Sequence, residues 1–197
     1  MTRLLPQAVP YQLFSAKALT MKREFNEDHT PLGYLITFRT YGTWLHGDKR
    51  GSVDRHNNHY GAPVIPSNQN WLRHNERSLT RPPVRLSKAQ RALIKELVEQ
   101  TCEVRGWRMH VTNVRTNHVH SVVTAACGPS RILNALKSNA TRELRESGQW
   151  LHPGSPWADR GSKRYLWTED HLMKAIDYVE LEQGDVFPVF DDIGLKD

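Results

Sequence analysis

The sequence predicts an α+β fold: a ferredoxin-like β-α-β-β-α-β core, with an antiparallel sheet and helices on one face, followed by a further C-terminal helix. Three observations predict it. Runs rich in β-branched or aromatic residues, or alternating in polarity, occupy 34–45, 107–114 and 118–125, as strands do. Amphipathic runs with capping residues open at Ser87, at Gly128-Pro129 and at Thr168, as helices packed on one side do. The order of these runs, with a short strand expected at RYLW (164–167), matches the split βαβ arrangement. The chain of 197 residues suits one domain with a substantial core. The organisation expected is an N-terminal arm over 1–30, a single domain over 31–185 and a tail over 186–197.

Each element has a local reason. YLITFRTYGTWL (34–45) reads as a first strand ending near Gly42. From 47 to 86 the chain is dense in Gly, Pro, Asn, Arg and His and interleaves basic residues with Tyr60 and Trp71. Connections this long are functional or disordered, and the mixture suits phosphates and unstacked bases as well as it suits a solvated excursion. Ser87 and Gln90 form a capping-box pattern ahead of a stripe of Leu93, Ile94, Leu97, Val98 and Thr101. That helix should stop before Gly106. The strands 107–114 and 118–125 are separated by Arg115-Thr116-Asn117, which reads as a hairpin turn. Pro129 opens a helix buried along Ile132, Leu133, Leu136, Ala140 and Leu144, ending near Gly148. Thr168 caps the last helix, with Glu169 and Asp170 favourable to its dipole, and the pattern carries it to Gly184.

The formal net charge is +6, a balance that favours polyanionic partners. The two cysteines, Cys102 and Cys127, form no C-x-x-C, so neither a disulfide framework nor a cysteine zinc site is indicated. No run is long and apolar enough to span a bilayer, and residues 1–24 carry no secretory pattern. A cytoplasmic, nucleoid-associated protein is the expectation.

The chemistry-bearing feature is TNHVHSVV (116–123). On a strand, His118 and His120 project from one face and Val119 from the other. Paired imidazoles suit a divalent ion, but two ordinary histidines on a polar sheet face have the same sequence. Two imidazoles also leave a coordination sphere incomplete, and a catalytic ion needs oxygen ligands and open positions. On the last helix Lys174, Tyr178 and Glu182 recur at i, i+4 spacing and line one edge. They read equally as a tyrosine and two charges on a solvated edge.

Taken together these segments resemble the HUH single-strand DNA nucleases. TNHVHSVV is similar to their N-H-x-H strand. KRYLWTEDHLMKAIDYVELEQGD (163–185) resembles the segment bearing the nucleophilic tyrosine of single-tyrosine insertion-sequence transposases, the REP-associated branch above all. YLITFRTYGTWLHGD (34–48) resembles the first strand of a transposase-like subgroup. The resemblance implies a transposase that cleaves and rejoins single-stranded, hairpin-bearing DNA through a 5′-phosphotyrosine. It implies Tyr178 as nucleophile and His118, His120 and Glu182 as ligands of Mg²⁺ or Mn²⁺, with Gln183 as the alternative third ligand. Lys174, Arg39 and Arg115 become phosphate contacts, and Lys174 also a group that could favour phenolate. Arg131, Lys137, Arg142, Lys163 and Arg164 are further cations, and Trp71, Trp107 and Trp157 candidate stacking residues. A homodimer is compatible with it. The chain departs from the pattern at Thr116, where many relatives have proline, at Glu182-Gln183-Gly184 in place of N-P, and in the long 47–86 segment. Other readings are a rolling-circle initiator or relaxase, which no second tyrosine near Tyr178 supports; a non-catalytic nucleic-acid-binding domain, whose aromatic strand signature is missing; and a metal-dependent hydrolase of a small substrate, which leaves the basic charge unexplained.

Overall fold

The structure, a computed structural model, describes residues 30–49, 51 and 65–181. Its elements in chain order are β1 (Gly33–Thr40), α1 (Gln69–Arg77), α2 (Lys88–Val104), β2 (Arg108–Val114), β3 (His118–Thr124), α3 (Pro129–Glu146), β4 (Trp157–Leu166) and α4 (Glu169–Glu180). The four strands form one sheet in the order β2-β3-β1-β4, with every neighbouring pair antiparallel. The links from β1 to β2 and from β3 to β4 each pass over one intervening strand. This is the ferredoxin-like arrangement that the sequence predicts.

Strand alternation divides the hydrophobic residues between two faces. Tyr34, Ile36 and Phe38 of β1 and Val119 and Val123 of β3 turn toward α2 and α3. There they meet Ile94 and Val98 of α2 and Ile132, Leu136 and Leu144 of α3 in the larger core. Leu35, Val122 and Leu166 turn the other way and are covered by Ala175, Tyr178 and Val179 of α4. The last helix therefore lies on the face that α2 and α3 leave open.

The capping box at Ser87 and Gln90 forms as expected, and Thr168 accepts from His171 N at the start of α4. Three elements differ from expectation. β4 runs ten residues, Trp157–Leu166, rather than the short RYLW. It is an edge strand, and its charged, largely exposed middle keeps the edge from pairing with other chains; that polarity hides it from a hydrophobic pattern. Gly161 in that strand is pressed so closely on β1 that a Cβ would lie 2.6 Å from the Thr37 carbonyl oxygen. Within 47–86 a further helix, α1, is present, and it buries no side chain. Asn68 caps it, accepting from Asn70 N and Trp71 N, which replaces the missing apolar face as a reason for the turn to form. Finally, α4 ends at Glu180 with Leu181 as its C-cap, short of the Gly184 expected. The arm at 1–29, Tyr60 and residues 182–197 lie outside the described residues.

Candidate active site

The face of the sheet shared with α4 is apolar only toward the start of β1. Farther along, β1 presents Thr37 and Arg39 there, opposite His120 and His118 of β3 in register. The Thr37 hydroxyl and His120 Nδ1 share a 2.7 Å hydrogen bond. His118 Nδ1 donates to the Asn117 side-chain oxygen at 2.7 Å. An imidazole with its Nδ1–H donated has its lone pair on Nε2 when neutral, so His118 is turned as a ligating histidine is. The two rings lie 4.6 Å apart between centroids.

Helix α4 brings the third group. Ala175 and Val179 are fully buried on the small core, and Asn113 Nδ2 of β2 donates to the Val179 carbonyl at 3.1 Å. These contacts fix the end of the helix on the sheet. They leave Tyr178 4% exposed, its ring 5.4 Å from that of His120 and tilted 75° to it. On the other side of the pair the Trp44 ring stands 4.9 Å from His118. Four rings thus follow one another in contact: Trp44, His118, His120, Tyr178.

The electrostatics follow from burial and from nearby arginines. Burial, reinforced by His118 and Arg115, pushes the His120 imidazole down to a pKa of about 3, so it is neutral at ordinary pH. Burial pushes the Tyr178 phenol up, while the positive charges of Arg164 and Arg115 work against it. Arg164 lies opposite Leu35 in register, on this same face. Lys174, which the resemblance offers as a phosphate contact or a group favouring phenolate, forms a 2.8 Å ion pair with Asp170. Arg39 donates to the Trp44 carbonyl at 2.6 Å.

Of the residues singled out from the sequence, His118, His120 and Tyr178 come together, with Arg115 close by and Arg39 on the same sheet face. Glu182 and Gln183 fall outside the described residues. Among the described residues no group of three or more His, Cys, Asp or Glu side chains gathers as a metal cluster. The donor set nevertheless fits a divalent ion as two of its ligands: a neutral His120 beside a His118 whose Nδ1–H is committed. Sequence reasoning missed Thr37 and Trp44 as site residues, and named Arg164 only as one of several further cations. Thr37 and Arg39 alternate on β1 as the histidines do on β3, a signal legible only once the strands are paired.

The sequence model of the IS200-like transposases matches residues 79–183, more than half of the chain. The chain belongs to the IS200-like transposase family. The matched span runs from ahead of α2 to just beyond α4 and includes His118, His120 and Tyr178, while β1 and Trp44 precede it. Two solved structures are similar to this transposase-family chain. One is a REP-associated tyrosine transposase bound to a REP hairpin, at 12% identity and a TM-score of 0.45, covering 84% of this chain and 74% of its own. The other is a candidate transposase from Deinococcus radiodurans, at 13% identity and a TM-score of 0.42, covering 82% of this chain and 98% of its own. No curated protein matches. No helix among the described residues is long and apolar enough to cross a membrane.

Proposed function

We propose that this transposase-family protein is a metal-dependent single-strand DNA endonuclease and transposase that cuts and rejoins hairpin-bearing DNA through a 5′-phosphotyrosine at Tyr178. The observation that carries the reading is the contact of the Tyr178 ring with His120, 5.4 Å between centroids, in a chain of this family. The hairpin preference rests on the likeness of 163–185 to the tyrosine segment of REP-associated transposases. His118, His120 and Glu182, with Gln183 as the alternative, would hold Mg²⁺ or Mn²⁺. Such an ion supplies Lewis-acid stabilisation of the charge that develops on a phosphodiester.

The chain's own residues have distinct parts. Tyr178 Oη attacks phosphorus, the P–O3′ bond breaks, the phenolic proton is lost and the departing 3′-oxygen gains one. The covalent link conserves the bond energy, so rejoining by the reverse attack needs no nucleotide cofactor. A buried phenol is a poor nucleophile, and Arg115 and Arg164 are the charges that favour its ionised form. Under this reading Arg39 and Lys174 would be phosphate contacts, Lys174 by exchanging its ion pair with Asp170 for one with the strand. Thr37 and Asn117 hold the two imidazoles by Nδ1.

The test is incubation of the protein with single-stranded hairpin oligonucleotides and Mg²⁺ or Mn²⁺, followed by denaturing electrophoresis. A covalent protein–DNA band should appear and should vanish in Tyr178→Phe and in His120→Ala. Strand cleavage that survives Tyr178→Phe overturns the proposal.

A further inference from the structure

The loop that follows β1 contains a tryptophan in an unfavourable backbone conformation. Trp44 has φ +52°, and it is the one non-glycine residue with positive φ among those described. Bulky residues rarely adopt that region, and such outliers persist only where the surroundings over-determine them. Here they do. Arg39 donates to the Trp44 carbonyl, and the Thr43 hydroxyl donates to the Thr40 carbonyl. Gly47, at φ +94°, sits so close to α1 that a Cβ would come 2.4 Å from the Asn68 carbonyl oxygen. Between them the His46 ring lies flat against Trp71 of α1, 5.0 Å between centroids and 10° from parallel. The result of this bracing is an indole set against His118 at 4.9 Å and still partly exposed.

The position of that indole gives it a direction relative to the chemistry. Tyr178 touches His120, His120 touches His118 and His118 touches Trp44, so nucleophile and tryptophan flank the histidine pair from opposite ends. Displacement at phosphorus runs in line, with the leaving oxygen opposite the attacking one. A phosphodiester held over the histidines and attacked by Tyr178 therefore directs its leaving 3′-oxygen away from Tyr178, toward the Trp44 end.

We propose that Trp44 is a nucleobase-stacking residue that holds the base of the nucleotide whose 3′-oxygen departs. This rests on the reading of Tyr178 as the nucleophile. The chemical class it takes is an unpaired DNA base on the 5′ side of the scissile bond, and its function is to register the strand so that the correct phosphate lies over the histidines. Stacking is tolerant of base identity, because every base has a π-face. Trp44 therefore sets position rather than sequence.

The test is a binding cycle on the oligonucleotide that forms the Tyr178 adduct, its scissile phosphate mapped from the released fragment. Dissociation constants are measured by fluorescence anisotropy for wild type, Trp44→Ala and Trp44→Phe. Each is assayed with the intact strand and with strands abasic at the nucleotide immediately 5′ or 3′ of the cleavage point. The 5′ abasic site should weaken wild-type binding about tenfold. Trp44→Ala should weaken the intact strand about equally and the 5′-abasic strand no further, and Trp44→Phe should keep most of the affinity. The 3′ abasic site should add its own cost in all three proteins. If Trp44→Ala weakens intact and 5′-abasic strands by the same factor, the indole only packs on His118 and this inference falls while the adduct stands. If no Tyr178 adduct forms, the underlying reading falls and takes this one with it.

Discussion

A histidine can hold a cation only while it is neutral, and His120 is kept neutral by being almost wholly inside the protein. Its folded value of about 3 lies below the ordinary 6.5. Between the two, the unfolded chain takes up a proton that the folded chain refuses. The stability associated with a neutral His120 is therefore fully present above about pH 6.5 and is lost as the pH falls toward about 3, at about 1.4 kcal/mol per pH unit. Urea unfolding of metal-free protein between about pH 4 and pH 8 should show this slope below about pH 6.5 and none from this group above it, and His120→Asn should remove it. Thr37 tests the same ring from the other side. Thr37→Val deletes the partner of His120 Nδ1 at nearly constant volume. Under the proposed function, adduct formation should fall about 10- to 100-fold, as when an outer partner of a ligating histidine is removed. Thr37→Ser should restore it, and the thermal midpoint distinguishes this from unfolding. Full activity in Thr37→Val would show that the ring is held by packing alone.

At the scale of elements, the question is what seats α4. Its footing is the small cluster of Leu35, Val122 and Leu166, separate from the core under α2 and α3. Ala175 is fully buried there with no side chain to spare. Ala175→Leu should cost about 1–3 kcal/mol by overpacking and lift the helix. Under the proposed function, a shift of about 1 Å at Tyr178 is enough to lower adduct formation about a hundredfold. Leu144→Ala, in the larger core, is the contrast: a stability loss of about 2–5 kcal/mol with the adduct yield per folded molecule unchanged. Equal activity losses in the two variants would mean that α4 does not depend on its own footing. This division also explains what the sequence could reveal. α2, α3 and the β2–β3 hairpin follow from apolar period and caps, because each buries a stripe. α1 buries nothing and β4 is a charged edge, so neither has a pattern to read. His118, His120 and Tyr178 were legible as residue types at plausible spacings. Thr37 and Trp44 were not, since each is brought to the histidines by strand pairing or a braced loop rather than by anything in its neighbouring sequence.

Over the whole molecule, a net charge of +6 says that a polyanion is favoured but not where it binds. Three cations of α3 have partners within the chain. Lys137 donates to the carbonyls of Ala158 and Asp159, Arg145 donates to that of Pro153, and Arg142 pairs with Glu143 and Glu146. Arg115 and Arg164 bear on Tyr178 itself. Binding of a single strand releases about 0.7 counterion for each phosphate neutralised, and this appears as the slope of log affinity against log salt. If the strand crosses the histidine face, Arg115→Gln and Arg164→Gln should each flatten that slope by about 0.7, and together by about 1.4. Arg142→Gln, on the opposite face, should leave it unchanged. Anisotropy titrations with a single-stranded oligonucleotide over about 50–300 mM salt measure wild type, the two single variants, their double and Arg142→Gln on one plot. The reverse result, a flattened slope in Arg142→Gln alone, would put the DNA on α3, with two layers of structure between the bound strand and Tyr178.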